Sequence, residues 1–208
     1  LLQEKRAELI TRAVTKGTDP NAPMKDSGIE WLGELPAPWE RRRLKFLVCY
    51  VTSGSRGWAE FYSDDGPIFV RIQNVSGAGI DLQLEDVQRV NPPIGAEGER
   101  TRTQPGDLLI SITANIGAVA VVPDIFGEGY VNQHLALTRP MGDMLFSRWG
   151  AYFLSSEAGQ PQFKILIQGG TKEGLGLDDV KNLDLLVPPF EQQQRIAAAY
   201  LLFQQFSE

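Results

Sequence analysis

The chain contains a single histidine, His134, and a single cysteine, Cys49, among its 208 residues. Structural zinc sites take about four His, Cys or carboxylate ligands, so a multi-histidine metal site and a cysteine-based zinc site are excluded. One cysteine also excludes an internal disulfide framework. A histidine can activate a nucleophile, but no nucleophile–base pair is recognisable in the local sequence. A lone histidine is more often a hydrogen-bonded structural residue.

Two short segments resemble motifs of amino-methyltransferases. Asn91-Pro92-Pro93-Ile94 is similar to the Asn-Pro-Pro-aromatic motif, in which the aromatic ring stacks on a flipped base. Isoleucine cannot stack in this way. Phe126-Gly127-Glu128-Gly129 is similar to a cofactor loop, but no helical pattern follows it. We therefore interpret both segments as turns.

Other catalytic patterns are weaker still. Pro123-Asp124 and Asp179-Val180-Lys181 match the fragments of a nuclease pattern, but they are short and far apart in the chain. The segment GGTKEGLG at 169–176 lacks the spacing of a phosphate loop and of a dinucleotide fingerprint. Successive backbone N–H groups in such a loop can nevertheless bind an anion, such as a DNA phosphate.

The length of 208 residues indicates one ordinary domain, or one domain with appendages. Apolar residues make up 42% of the chain, and the longest apolar run, residues 46–51, is too short to cross a membrane. The net charge is −6 and the isoelectric point is about 5.0, which argues against a uniformly basic nucleic-acid binder. Residues 1–58 nevertheless hold 10 Lys and Arg against 7 Asp and Glu, and the densest basic stretch is 41–45.

Periodicity predicts a mixed α/β body between two helical ends. The predicted helices are 1–14, 44–51, one that includes 145–153, 177–182 and one that begins near 191. The predicted strands are 68–72, 87–90, 108–112, 118–122, 136–139 and 183–187. Residues 17–38 hold four prolines and three glycines and are predicted to form an irregular arm.

The order of several motifs resembles the target recognition domain of type I restriction–modification specificity subunits. The motifs are PMKDSGIEWLGELPAPWERRRL (23–44), GSRGWAEFYSDDGPIFVRIQNV (54–75), PGDLLISITANIGAVAVV (105–122), NQHLAL (132–137), LSSEAGQ (154–160), GGTKEGLG (169–176) and LLVPPFEQQQRIA (185–197). Each motif is moderately specific, but the ordered set covers essentially the whole chain. The resemblance implies an α/β (mixed α+β) domain with a twisted, largely antiparallel sheet and short helices.

The two ends resemble pieces of the spacer helices of that family. LLQEKRAELI at the start is similar to the end of one spacer, and EQQQRIAAAYLLF at the end is similar to the beginning of the next. The resemblance therefore implies that residues 1–16 end a spacer helix, 17–187 form the recognition domain and 188–208 start the next spacer helix. The chain begins with Leu, so we expect the second domain of a two-domain subunit more than a half-length subunit.

The resemblance implies a non-catalytic subunit that reads one half of a split target in double-stranded DNA. Its implied partners are modification subunits, which use S-adenosylmethionine, and a restriction and motor subunit, which uses ATP and magnesium. This chain itself is expected to hold no cofactor and no metal, to act in the cytoplasm of a bacterium or archaeon, and to have no membrane contact. A homodimer of the fragment is a further expectation.

Base reading needs polar side chains on rigidly held loops, because Arg reads guanine and Asn or Gln reads adenine in the major groove. The candidates are Ser55, Arg56, Trp58, Arg71, Gln73, Asn74, Thr113, Asn115, Gln133 and His134. Candidates for phosphate contacts, which position the protein without specifying sequence, are Arg41, Arg42, Arg43, Lys45, Gly169, Gly170, Thr171 and Lys172. For each of them, the competing interpretation is a turn hydrogen bond or a solvated surface position.

The two end helices are predicted to pack side by side through apolar faces that need partners. Those faces hold Leu2, Leu9, Ile10, Ala13, Ile196, Tyr200 and Phe203. Two other classes of function stay open. One is a small DNA methyltransferase or nuclease, which would act on DNA without partner subunits. The other is a protein-interaction module that does not contact DNA.

Overall fold

The structure is a computed structural model that describes residues 2–75, 79–169 and 174–205. The strands in this part of the chain are β1 (Met24–Asp26), β2 (Glu34–Pro36), β3 (Glu40–Arg43), β4 (Val48–Ser53), β5 (Tyr62–Val70), β6 (Gln88–Val90), β7 (Leu108–Ser111), β8 (Val119–Val121), β9 (Gly129–Val131), β10 (Leu135–Pro140) and β11 (Asp184–Val187). The helices are α1 (Leu2–Lys16), α2 (Ala96–Thr101), α3 (Ser147–Ser155), α4 (Gln160–Gly169), α5 (Leu177–Lys181) and α6 (Phe190–Gln205).

The centre of the fold is a four-stranded antiparallel sheet in the order β4-β10-β7-β8. Along β7, Leu108 and Ile110 pack into one apolar cluster while Leu109 packs into another. Since successive side chains of a strand point to opposite faces, both faces of this sheet are buried. Burial on both sides explains why Leu108–Ile110 of β7 and all of β8 are apolar, with no alternation of polar and apolar residues.

Three small sheets surround the central one. They pair β1 with β2, β11 with β3, and β6 with β5 and β9. All these pairs are antiparallel except β5 and β9, which run parallel. The predicted α/β class with largely antiparallel pairing is therefore confirmed, although the strands form several sheets instead of a single one.

Both terminal helices pack against α3. Ile10 on α1 and Ile196 on α6 are buried in the same core, and the ring of Tyr200 on α6 meets Tyr152 of α3 edge-on at 4.8 Å. Ala13 is partly buried against this core, whereas Leu9 is 45% exposed. The side chains of Leu2 and Phe203 lie outside the part that the structure describes. The division into 1–16, 17–187 and 188–208 stays a prediction.

The helix predicted over residues 44–51 is wrong. A short 3-10 turn covers Leu44–Phe46, and Val48–Ser53 form β4, which pairs with β10. Val48, Val51 and Thr52 are β-branched, and such side chains favour strands where a partner strand is available. The apolar spacing of this segment fits a helix equally well, so the distant partner β10 decides its structure.

Helix α4 was not among the predicted elements. Its sequence, Gln160–Gly169, has Pro161 at the second helical position, where the missing N–H of proline does no harm. Gln162 and Phe163 are the buried residues of this helix, whereas Ile165 and Ile167 are exposed, so only part of its apolar sequence faces the core. The sequence feature that indicates this helix is a proline near the start of a segment with no other proline or glycine before Gly169.

Candidate nucleic-acid interface

Strand pairing brings the ends of β4 and β7 to the same place. β10 is antiparallel to both neighbours, with Ala136 opposite Ser53 and Leu135 opposite Ser111. The carboxyl ends of β4 and β7 therefore both adjoin the amino end of β10. The residues that follow β4 and β7 lie beside those that precede β10.

The end of β5 joins this group through a parallel pair. Val70, the last residue of β5, is opposite Val131, the last residue of β9, and the chain then runs directly into β10. The backbone N–H of Asn132 donates to the carbonyl of Val70 at 3.1 Å, and that of Gly54 donates to the carbonyl of Asn132 at 3.1 Å. We call residues 53–56, 71–74, 111–115 and 132–134 the convergent edge.

Three of the predicted base readers at the convergent edge are linked to one another. His134 Nδ1 lies 2.7 Å from Thr113 Oγ1, and His134 Nε2 lies 2.9 Å from Gln133 Nε2. All three side chains are half-buried, so each can present only part of its surface to a ligand.

The glycine-rich segment 169–176 has its last residues beside the convergent edge. The backbone N–H of Leu175 donates to the carbonyl of Ile112 at 2.7 Å, and Gly174 lies against Thr113. Of the predicted phosphate ligands, Gly169 is the last residue of α4. Gly170, Thr171 and Lys172 lie outside the described residues.

Asn74 is buried and its side chain is fully engaged. Its Oδ1 accepts the backbone N–H of Arg71 at 2.9 Å, and its Nδ2 donates to the carbonyls of Gln83 and Asp86 at 2.8 and 2.9 Å. It is 1% exposed. Asn74 therefore closes the loop after β5 and, contrary to our prediction, has no free edge with which to read a base.

Trp58 is also a structural residue. Its ring is 2% exposed and stacks on Phe69 at 5.0 Å, and its Nε1 donates to Glu97 Oε1 at 2.5 Å. Tyr130 completes this small cluster. The prediction that Trp58 reads a base is therefore corrected, since both its faces and its single donor are occupied within the protein.

Asp86 holds the other two candidates of the loop after β5. Its carboxylate accepts Gln73 Nε2 at 2.8 Å and lies 3.7 Å from Nη2 of Arg71. The Asp86 side chain is 82% exposed. A base or phosphate that binds Gln73 or Arg71 through these atoms therefore competes with Asp86 for them.

Arg56, Asn115 and Ser55 differ in how far they are available. Arg56 and Asn115 are exposed, and Arg56 makes no hydrogen bond or ion pair with the residues that the structure describes. Asn115 has a φ of 52°, a conformation that asparagine tolerates better than most residues, so its type also suits the turn. Ser55 is half-buried and its Oγ accepts from Arg100 Nη2 at 2.6 Å.

The basic run lies at the opposite end of β4 from the convergent edge. Lys45 precedes β4 and Ser53 ends it, and six residues of strand span about 17 Å at the usual rise of ~3.4 Å per residue. The structure therefore separates the predicted phosphate ligands 41–45 from the predicted base readers.

The four basic side chains of this run differ in how their charges are balanced. Arg41 is paired with Asp184 at 2.7 Å, and this hydrogen bond raises the pKa of Arg41. Arg42 is paired with Glu40 at 3.0 Å. Arg43 and Lys45 donate to the neutral Oδ1 of Asn182 at 3.2 and 3.0 Å, so these bonds do not offset their positive charges.

The convergent edge also depends on residues that sequence reasoning missed. Arg100 and Glu97 of α2 contact the segment after β4, and Asp86 contacts the segment after β5. They are 39 to 45 residues and 13 residues away in sequence from the side chains that they bind. No local signal in the sequence marks these long-range contacts.

The described residues hold neither a candidate metal site nor a candidate membrane-spanning helix. Within 2–75, 79–169 and 174–205, no group of three or more His, Cys, Asp or Glu is placed to hold a metal ion. In the same ranges, no helix has both the length and the apolar character to span a membrane.

Solved structures of type I systems share this fold. A chain from a type I restriction–modification system, solved to explain complex assembly and conformational transition, has a TM-score of 0.67, 22% identity and coverage of 99% of this chain. The HsdS subunit from Thermoanaerobacter tengcongensis has a TM-score of 0.62 at 23% identity. The S subunit from M. genitalium has 0.63 at 14% identity. This chain covers 45%, 44% and 48% of those three chains, respectively.

Sequence comparisons point to the same family. A protein of Methanocaldococcus jannaschii named as the MjaX specificity subunit of a type I restriction enzyme is 25% identical over 177 residues, which are 80% of this chain and 39% of that protein. The family model for the type I restriction modification DNA specificity domain matches residues 94–201, more than half of the chain. The chain belongs to the type I restriction modification DNA specificity domain family.

Proposed function

We propose that this chain is a target recognition domain that reads part of a double-stranded DNA target through the convergent edge. The observation that carries the proposal is the meeting of four chain segments, after β4, β5, β7 and β9, where these paired strands end side by side. Rigid strands hold the loops there. Preorganised loops can place hydrogen-bonding groups at fixed positions along a groove.

Within the convergent edge, different exposed side chains contact different bases. The guanidinium of Arg56 suits the O6 and N7 atoms of guanine, and the amide of Asn115 suits the N6 and N7 atoms of adenine. Arg71 and Gln73 join them after releasing Asp86. Thr113, Gln133 and His134 form the half-buried floor between these groups.

Methylation and cleavage belong, in this proposal, to partner subunits. The modification subunits would supply S-adenosylmethionine, and the restriction and motor subunit would supply ATP and magnesium. The docking surface for modification subunits would be formed by α1 and α6, on which Leu9 and Leu202 are 45% and 54% exposed. Exposed leucines on packed helices suit a partner helix, and association of two copies of this chain is the competing use.

The experiment that tests the proposal is selection from a randomised DNA duplex library by the purified chain. We expect enrichment of one short sequence over repeated rounds at moderate salt. A competing single-stranded library should compete poorly, since base edges in the major groove carry the readout. Recovery of an unselected pool would contradict the proposal and would favour a protein-interaction module.

Asp86→Asn should strengthen binding to all duplexes about three- to fivefold. An exposed charge–charge contact is worth up to ~1 kcal/mol, and here the lost carboxylate both repels phosphate and occupies Arg71. Fluorescence anisotropy with target and non-target duplexes measures the effect.

The matched control for Asp86 is Asp143→Asn. Asp143 is exposed and follows β10, which places it at the opposite end of the central sheet. This variant should bind DNA like the wild type. Equal strengthening by both variants would mean that only net charge matters and that Asp86 has no special place.

A further inference from the structure

Arg100 of α2 binds the end of β4 and the residues beyond it. Its Nη1 donates to Thr52 Oγ1 at 2.8 Å and to the carbonyl of Ser53, and its Nη2 donates to Ser55 Oγ at 2.6 Å. The planar guanidinium thus binds Thr52, Ser53 and Ser55 through its two terminal nitrogens. All three acceptors are neutral, so none of them cancels the charge of Arg100.

Glu97 holds the other end of the same segment. It lies three residues before Arg100 on α2, and residues with this spacing share a face of a helix. Its Oε1 accepts the indole N–H of Trp58 at 2.5 Å, and Trp58 is anchored by stacking on Phe69. One face of α2 therefore contacts the segment 53–58 near both of its ends.

Gly54 fixes the backbone between these contacts. Its N–H donates to the carbonyl of Asn132, and a side chain at this position would collide with the carbonyl of Val131. The backbone of the segment is thus pressed against the end of β9. Between the contacts at Ser55 and Trp58, only Arg56 and Gly57 are exposed.

We propose that Arg100 and Glu97 are positioning residues. They hold the segment 53–58 in one conformation and thereby orient the Arg56 side chain in the free protein, before DNA binds. This inference rests on the proposed function. A loop that is already ordered loses less conformational entropy on binding than a mobile one. It also offers its guanidinium at one place, so a wrong base pair cannot be accommodated by a shift of the loop.

The first arm of the test uses no DNA. Hydrogen exchange of the amides of residues 54–58 is measured in the free chain for the wild type, Arg100→Met, Arg100→Lys and Glu97→Ala. Arg100→Met keeps the length of the side chain and removes its donors, and it should speed exchange about tenfold. Arg100→Lys keeps the charge but not the fork and should speed it less.

Two control variants accompany this arm. Glu97→Gln keeps an acceptor for Trp58 and should exchange like the wild type. Glu99→Gln changes an exposed residue of the same helix that makes no hydrogen bond to segment 53–58 among the described residues, and it should also match the wild type. Melting temperatures of all the variants show whether any difference reflects global unfolding.

The second arm measures discrimination between the selected duplex and its single-base variants. Arg100→Met should lose about tenfold discrimination, mainly at the base pair that Arg56 reads. Unchanged exchange in Arg100→Met and Glu97→Ala would overturn the inference while leaving the proposed function intact. Faster exchange with full discrimination would overturn it too. A wild-type chain that selects no sequence would remove the proposed function and this inference together.

Discussion

Trp58→Ala is expected to lower the free energy of unfolding by about 3–5 kcal/mol, the usual range for truncating a buried aromatic side chain. The ring is 2% exposed, stacks on Phe69 and contacts Tyr130, and its N–H is bonded to Glu97. Truncation would leave a cavity and an unpaired carboxylate. Urea unfolding followed by circular dichroism measures the loss.

Two further tryptophan variants make this result specific. Trp58→Phe keeps an aromatic ring against Phe69 and loses the bond to Glu97, so its loss should be clearly smaller than that of Trp58→Ala. Trp31 is 45% exposed, and Trp31→Ala should cost about 1 kcal/mol or less. A stable Trp58→Ala chain that has lost only DNA binding would restore Trp58 as a base reader.

The elements that were predicted correctly have strong local patterns. β7 begins with three successive apolar residues and β8 is entirely apolar, and α3 holds six consecutive buried residues from Trp149 to Leu154. Such segments are apolar over most of their length, so the local pattern is sufficient to predict a buried strand or helix. The terminal helices α1 and α6 were predictable for a similar reason, because both lack internal Gly and Pro.

The candidate site was predictable only in part. Sequence order places polar residues after strands, but it does not show which strands are neighbours. The convergent edge exists because β10 pairs with β4, some 80 residues earlier, and because β5 pairs with β9. Burial of Asn74 and Trp58 follows from the same long-range packing. Gln73 and Arg56, which lie near them in the sequence, are exposed. No local sequence rule distinguishes the two exposed residues from the two buried ones.

The basic run shows a related limit. Its sequence carries four positive charges. Arg41 is paired with Asp184, which the pairing of β3 with β11 places beside it, and Arg42 is paired with Glu40 of its own strand. Arg43 and Lys45 carry the charge that is not offset in this way. A distribution of charge along the sequence therefore overstates the positive potential of the surface.

Arg56→Ala is expected to reduce discrimination at one base pair of the target by about five- to 150-fold. A bidentate contact to a base edge is worth ~1–3 kcal/mol of discrimination. Arg56 is exposed at the convergent edge, and it has no partner among the described residues that would compete with DNA. Neither Glu60 nor Asp64, the acids nearest in sequence, is paired with it there.

The matched controls for Arg56→Ala are two arginines of the basic run. Arg43→Ala should weaken all sequences equally and lower the salt slope by up to about one unit, because it removes a charge that is not offset. Arg42→Ala should have a smaller effect, since Glu40 already balances its charge. Neither control should change the preferred sequence.

The most direct measurement of base reading by the convergent edge is the affinity of wild type, Arg56→Ala and Arg43→Ala for the selected duplex and a panel of its single-base variants at two salt concentrations. We expect Arg56→Ala to flatten the preference at one position and leave the others, while Arg43→Ala shifts every affinity together. A uniform loss for Arg56→Ala, with the preference intact at every position, would contradict this expectation.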